Sequence, residues 1–256
     1  MSSKLLALSF FTTFQLHAAI SPRADVDESL KLLRQGGNLI NAIQNLDDRH
    51  PAKIRYLTNI VESPKYGIKE RWFAVMAFTK LQGLGSLGRL KNWIHHPQWF
   101  IRSASLKALG YVHKSRADRP IELVVDKLKD PSILVRDAAL EVLGKWCPTE
   151  AVKPMLGMLD DPKHFRKKHP LYIRKRAVQT LGKCRTQSYF VKKRFVDIFN
   201  EKDMYGIHEA THKALKEMTG LGIPYSSNRK KMHQVWAAAF SLDQPLKEAA
   251  KSNVLQ

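Results

Sequence analysis

The chain has 256 residues, with 43 Lys and Arg against 23 Asp and Glu, a formal net charge of +20 and 44% hydrophobic residues. The hydrophobic content is that of a globular protein, which excludes a wholly disordered chain. A net positive charge of this size favours anionic partners. The candidates are acidic proteins, nucleic acid, anionic lipid and cell-wall polymer.

Residues 1–19 read MSSKLLALSFFTTFQLHAA, with Lys4 before an apolar run and two small residues, Ala18 and Ala19, at the end. This order is typical of a secretory signal peptide, so we expect an exported protein, periplasmic or secreted. The alternative is an ordinary amphipathic first helix of a cytoplasmic protein. Since no other apolar run reaches the length of a bilayer span, we expect no integral membrane segment.

The following stretch, residues 26–46, has a helical pattern that is broken by Gly36 and Gly37. Helical patterns then recur in pairs along the rest of the chain. The pairs occupy residues of about 51–82, 86–114, 119–147, 150–184 and 189–220. We expect 26–46 to cap the first pair, 229–240 to cap the last one, and 241–256 to form a polar tail.

The clearest second helix of a pair runs from Asp130 to Trp146. Pro131 cannot continue an incoming helix, and Asp130 can cap a new one. Apolar residues then recur at helical spacing up to Gly144. The same frame appears upstream and downstream, and its arginine position is filled by Arg71, Arg102, Arg136, Arg174 and, as a departure, Thr211. The spacing of about 31 to 38 residues is typical of two-helix repeats.

The stretch from Asp130 to Gly144 resembles the core signature of HEAT repeats, in particular the phycobilisome-lyase-like subtype. The resemblance extends over roughly residues 52–240. It implies an all-α fold, a right-handed α-solenoid of about five helix pairs with capping helices at both ends. Such arrays serve as scaffolds, inhibitors, regulators and occasional nucleic-acid enzymes, so the resemblance alone does not specify the function.

In HEAT arrays the second helices line a concave groove, and the resemblance places a mostly basic stripe there. Its expected members are Lys107, Tyr111, Lys114, Lys145, Lys175, Lys183 and Lys216, beside Asp137, Glu141, Gln179 and His212. A solvated surface without a binding role is the alternative. An insertion in the fourth pair adds the bases Lys163, Arg166, Lys167 and Lys168. Its aromatic residues, Phe165 and Tyr172, either stack on nucleotides or belong to the core.

The arginine that recurs once per repeat has two possible roles. A row of guanidinium groups binds anions, whereas in the HEAT family this arginine generally joins an aspartate of a neighbouring turn and holds adjacent repeats in register. We expect the second role. The resemblance implies a structural ladder of Arg102, Arg136 and Arg174 with Asp130 and Asp161, or with Asp160 in place of Asp161.

Residues 208–212 form a literal H-E-x-x-H motif, in which His208 and His212 share one helix face. A zinc peptidase also needs a third protein ligand, but Leu215 and Met218 occupy the positions where extended motifs carry one. We therefore expect no catalytic residues and no metal site. Adventitious metal binding by the two histidines is the alternative.

Cys147 and Cys184 end the second helices of two successive repeats. Export would permit a disulfide between them. Because the axes of packed helices lie about 10 Å apart, a bridge forms only if the helix ends converge. We therefore expect two buried reduced thiols.

These observations predict a non-enzymatic binding scaffold without cofactors, whose basic groove holds an acidic protein or another polyanion. The alternative is a nucleic-acid-binding HEAT protein, similar to the DNA glycosylases that are built on such arrays. That alternative lacks an aromatic-plus-aspartate pocket, because Trp93, Trp99 and Trp146 are expected in the core. The sequence does not specify an oligomeric state.

Overall fold

The computed structural model of the chain describes residues 23–44, 46, 49–112, 119–166 and 169–242. The expected signal peptide at 1–19, almost all of the expected tail, and Lys114, Lys167 and Lys168 lie outside the described residues. Within them the protein is mostly helical, which confirms the all-α fold class. Among the described helices, none has both the length and the apolar composition that crossing a membrane requires.

The helices are α1 (Ala24–Arg34), α2 (Leu39–Gln44), α3 (Pro51–Glu62), α4 (Ile68–Gln82), α5 (Leu87–Trp93), α6 (Trp99–Val112), α7 (Ile121–Asp126), α8 (Ile133–Trp146), α9 (Val152–Gly157), α10 (Tyr172–Lys183), α11 (Tyr189–Ile198), α12 (Ile207–Thr219) and α13 (Arg229–Ala239). Short 3-10 turns follow α4 and α7, and others precede α9 and the insertion. In the insertion between α9 and α10, strands β1 (Phe165–Arg166) and β2 (His169–Pro170) pair antiparallel.

The break expected in the N-terminal helical stretch is a two-glycine turn between α1 and α2. Gly36 has a φ of 89°, and the amide N–H groups of Gly36 and Gly37 donate to the carbonyl oxygens of Leu33 and Leu32. This pattern satisfies the last carbonyl groups of α1, and its left-handed residue favours glycine. The interruption at Gly36 and Gly37 is thereby confirmed.

Each long second helix packs against a shorter helix that precedes it and against the next second helix of the chain. The first kind of contact joins α3 to α4, α5 to α6, α7 to α8, α9 to α10 and α11 to α12. The second kind joins α4 to α6, α6 to α8, α8 to α10 and α10 to α12. At the ends, α1 and α2 contact α4, and α13 contacts α11. The second helices α4, α6, α8, α10 and α12 therefore form one row.

A glycine near the C-terminal end of three second helices allows the row to pack closely. A Cβ atom on Gly110 would lie 3.1 Å from Val142 Cγ2, and one on Gly144 would lie 3.2 Å from Thr180 Cγ2. On Gly182 it would lie 2.6 Å from the Cα atom of Ala214, a backbone atom that no side-chain rotation can move away. The interior side chains of the row, such as Leu109 and Leu143, are fully buried.

The tryptophans expected in the core are buried, with one exception. Trp93 and Trp146 are buried, and Trp236 of α13 has no exposed surface. Trp99 was expected in the core but is 36% exposed. It is the first residue of α6, and the buried stripe of that helix begins only with Phe100 and Ile101.

The expectation of reduced thiols is wrong, because Cys147 and Cys184 form a disulfide with their Cα atoms 5.2 Å apart. The C-terminal ends of α8 and α10 converge, as the contact between Gly144 and Thr180 permits. Cys147 caps α8 in the left-handed backbone region with a φ of 48°. This conformation ends α8 and allows Cys147 to meet the cysteine that follows α10.

Candidate binding surface

The described residues of the predicted stripe belong to the second helices α6, α8, α10 and α12, and we call the surface that they form with their neighbours the second-helix face. At its α6–α8 end, the Glu141 carboxylate lies 3.1 Å from the ammonium groups of both Lys107 and Lys145. The Lys145 ammonium also lies 4.0 Å from the ring centroid of Tyr111. Burial alone would raise the pKa of Glu141, but the two lysines outweigh it and hold that pKa below its usual value. Lys107 and Lys145 are therefore partly neutralised.

The cations at the start of α10 are also engaged. Lys175 donates a hydrogen bond of 2.9 Å to the carbonyl oxygen of Tyr205, in the loop before α12. Arg176, which the sequence stripe did not include, pairs with Asp137 of α8 at 2.7 Å. Both contacts join neighbouring elements, so these side chains position the row as well as contributing charge to its surface.

The clefts beside α10 and α12 differ, because three of their lysines pair with no described residue. A cleft of about 310 Å³ between the two helices is lined by Arg176, Gln179, Lys183, Ala210, Lys213, Ala214 and Glu217. A neighbouring cleft of about 520 Å³ is lined by Glu209, His212, Lys213, Lys216, Glu217 and Tyr225. Within the described part of the chain, Lys183, Lys213 and Lys216 form no ion pair or hydrogen bond through their ammonium groups. Lys213 contributes to both clefts.

The stripe expected from the sequence does not include Lys213, because the repeat frame with Thr211 lies one turn too late on α12. The position of the recurrent arginine belongs to His208 and not to Thr211. His208 Nε2 donates a hydrogen bond to the carbonyl oxygen of Ile198, the last residue of the preceding helix. Arg174 Nε donates in the same way to the carbonyl oxygen of Leu159. The signal was present in the sequence, since an apolar residue followed by a basic one recurs at 101–102, 135–136, 173–174 and 207–208.

With this register, His212 is a buried residue of the last helix pair rather than a member of the exposed stripe. It is 5% exposed, and its Nδ1 atom accepts a hydrogen bond from Trp236 Nε1 at 3.3 Å. Both histidines of the H-E-x-x-H motif thus bind groups of their own chain. Among the described residues, no three His, Cys, Asp or Glu side chains are grouped so that they could hold a metal ion.

The recurrent arginines hold the turns between paired helices, and of the expected acids Asp130 is one of their partners. Arg102 binds Asp130 through two hydrogen bonds of 2.8 and 2.7 Å. Burial alone would raise the pKa of Asp130, but the hydrogen bonds from Arg102 and Ser132 keep that pKa below its usual value. Arg174 pairs with Glu201 at 2.8 Å.

Arg136 binds backbone acceptors and not an aspartate side chain of the expected ladder. Arg136 Nη1 donates to the carbonyl oxygens of Asp130 and Pro131, at 2.6 and 3.1 Å. The Asp161 carboxylate instead accepts from the backbone N–H of Lys163 and caps the turn before the insertion. Asp160 binds Arg194 of α11.

The insertion is anchored by its own side chains. His164 is 1% exposed, with its Nδ1 atom 2.7 Å from the carbonyl oxygen of Met158. The ring of Phe165 lies 4.8 Å from the guanidinium carbon of Arg174. Phe165 therefore packs against the array, whereas the bases Lys163 and Arg166 are exposed.

No protein-family model matches the chain, and no curated protein matches its sequence.

Proposed function

We propose that the protein is an exported, non-enzymatic binding scaffold whose second-helix face holds an acidic protein. The fold proposed with it is a HEAT-type right-handed solenoid of about five helix pairs, capped by α1–α2 and by α13. The succession of contacts along the row supports this architecture, because each second helix contacts its neighbours in chain order. An array of this kind presents one long surface built from equivalent positions of successive helices.

The proposal rests on two lysines between α10 and α12 whose ammonium groups have no carboxylate partner among the described residues. Lys183 and Lys213 line one cleft, and within the described residues neither ammonium group meets a carboxylate. Lys216 extends this group into the adjoining cleft. Cations that are not neutralised within the protein are the ones that attract an anionic partner and accelerate its association.

The partner class follows from the carboxylates among these cations. The second-helix face carries Lys107, Lys145, Lys175, Arg176, Lys183, Lys213 and Lys216, but also Asp137, Glu141, Glu209 and Glu217. The regularly spaced phosphates of a rigid duplex would meet these carboxylates at close range and be repelled, whereas a flexible acidic chain can place its carboxylates at the lysines. A protein surface places acidic side chains opposite the lysines and neutral or basic ones opposite the carboxylates, which favours an acidic protein over nucleic acid.

The disulfide supports export. Disulfides persist in oxidising compartments and are rare in the cytosol, where thiols are kept reduced. The bridge between Cys147 and Cys184 thus agrees with the signal-peptide pattern at 1–19, which lies outside the described residues.

The proposal is tested by reversing the three unpaired lysines together, in a K183E/K213E/K216E variant. Binding of fluorescent poly-glutamate and of duplex DNA is measured by anisotropy over a salt series. Wild type should bind poly-glutamate, and the variant should bind it at least about tenfold more weakly, since each reversal removes an attraction and adds a repulsion. The salt dependence should also become shallower, because fewer counterions are displaced.

The matched control reverses three exposed, unpaired lysines away from this face, Lys91, Lys129 and Lys202, with the same change in net charge. It should retain most of the poly-glutamate binding. Equal losses in both variants would mean that only net charge matters, and the proposed site would be rejected. DNA binding that is tighter than poly-glutamate binding at the same salt would favour the nucleic-acid function.

A further inference from the structure

A cleft at the other end of the row has a different chemistry. It measures about 320 Å³ and lies where the α1–α2 turn meets the start of α4. Its lining residues are Leu33, Gly37, Leu39, Ile68, Lys69 and Trp72. We call it the N-terminal cleft. Ile68 is 54% exposed at its edge, so an apolar side chain remains in contact with solvent there.

The two-glycine turn forms part of the wall of this cleft. The N–H of Gly37 donates to the carbonyl oxygen of Leu32 at 2.8 Å, and a Cβ atom on Gly37 would lie 2.6 Å from that oxygen. The backbone therefore closes tightly at this point without a side chain.

Trp72 joins the N-terminal cleft to the second-helix face. Its side chain lines the cleft, and the ammonium group of Lys107 lies 5.9 Å from its ring centroid. Lys69 is the charged residue among those that line the cleft, and in the described part of the chain its ammonium group has no partner. The apolar cleft thus adjoins the second-helix face through Trp72, and it carries at its edge a cation, Lys69, that no described residue neutralises.

We propose that the N-terminal cleft takes a bulky apolar side chain of the acidic partner, with a flanking carboxylate of that partner at Lys69. This inference rests on the proposed function and specifies its partner: an acidic segment that contains an apolar anchor. Large apolar side chains seated in a pocket and surrounded by polar contacts provide most of the affinity of protein interfaces. A nucleic acid or a simple polyanion offers no such side chain.

The test uses two short synthetic peptides of glutamate and serine that differ at one central residue, phenylalanine in one and alanine in the other. Wild type should bind the phenylalanine peptide about tenfold more tightly, because burying the ring removes apolar surface from water. An Ile68→Ser variant should lose most of this difference. The matched control is Ile40→Ser, since Ile40 is 62% exposed on α2 and does not line the cleft.

The outcomes separate this inference from the proposed function. If both peptides bind equally to wild type, and both are lost in K183E/K213E/K216E, the acidic-partner function stands and the anchor is rejected. If neither peptide binds, both proposals are overturned. A preference for phenylalanine that Ile68→Ser and Ile40→Ser reduce equally would place the anchor elsewhere and reject the N-terminal cleft. A medium-chain fatty acid can be compared with the alanine peptide as a competitor of the phenylalanine peptide. If the fatty acid displaces the phenylalanine peptide at the lower concentration, the cleft is assigned to a lipid instead.

Discussion

Arg136 shows how a single side chain fixes the turn between paired helices. It is 6% exposed and donates to two backbone carbonyl oxygens, those of Asp130 and Pro131. Arg136→Ala should lower the free energy of unfolding by about 1–3 kcal/mol, because these acceptors lose a charged donor in a buried place. Chemical denaturation measures the change. The control is Arg176→Ala, which removes the ion pair between Asp137 and an arginine whose side chain is 41% exposed. It should lower the free energy of unfolding by less than about 1 kcal/mol. Equal losses would contradict the structural role assigned to Arg136.

Buried histidines make the stability sensitive to pH. Burial lowers the pKa of His164 and of His212, and nearby cations, Arg136 and Lys216 respectively, lower it further. The folded protein therefore favours the neutral imidazole more than the unfolded chain does. Stability is fully present above the ordinary imidazole pKa of 6.5 and should fall as the pH drops below it towards the lowered values. Unfolding curves from neutral to acidic pH measure this, and an H164Q/H212Q variant should show a weaker decline. A wild-type curve that does not change with pH would refute the prediction.

At the residue scale, the sequence predicted which residues recur but not all of their partners. The position of Arg136 in the frame indicated a structural role, yet its acceptors are carbonyl oxygens, and a backbone acceptor leaves no mark in the sequence. Thr211 was placed in the arginine position because the apolar pattern of α12 fits two registers one turn apart. The hydrogen bond from His208 to the carbonyl oxygen of Ile198 and the packing of Gly182 against Ala214 support the register with His208 in the arginine position.

At the scale of helices, the close approach of α10 and α12 depends on Gly182. A methyl group there would lie 2.6 Å from the Cα atom of Ala214, so the two helices would have to separate. Gly182→Ala should therefore destabilise the protein by roughly 1–3 kcal/mol, as overpacking does, although alanine is the better helix former. Gly157→Ala is the control, because α9 leaves nothing within 4 Å of the added methyl. It should be neutral or stabilise by up to about 1 kcal/mol. Thermal denaturation of both variants checks the prediction, and a stabilised Gly182→Ala would contradict the packing.

The helices themselves were largely predictable. Pro131, the apolar spacing and Gly144 predicted a helix over 130–146, and α8 runs from Ile133 to Trp146. The β-ladder of the insertion was not predicted, because two-residue strands have too few positions to show an alternating pattern. Trp99 was assigned to the core from its residue type, but its exposure is set by its place at the start of α6.

At the scale of the whole molecule, the surplus of positive charge in the net value of +20 is not spread evenly over the second-helix face. The predicted basic stripe contains paired lysines at its α6–α8 end and unpaired ones at its α10–α12 end. Composition gives the sign of the field, but the distribution depends on which carboxylates fold against which lysines. For that reason the stripe could be predicted from the sequence, whereas its unpaired part could not.

The disulfide connects two neighbouring helix pairs, and its effect should be visible in the unfolding of the whole chain. It links residues 37 positions apart, so it removes conformational freedom from the unfolded chain. A C147S/C184S variant should lose roughly 3–4 kcal/mol of stability, the amount that loop-closure entropy gives for a loop of this size. A dithiol reductant should lower the urea midpoint of wild type by a similar free energy and leave the serine variant unchanged, which separates the bridge from any direct effect of the reductant. In a row where each helix pair contacts mainly its neighbours, losing the bridge should also allow the two ends to unfold separately, seen as a broader transition. If wild type purified without reductant has two titratable thiols, or if its midpoint does not respond to reduction, the bridge is absent from the folded protein, and its support for export is lost with it.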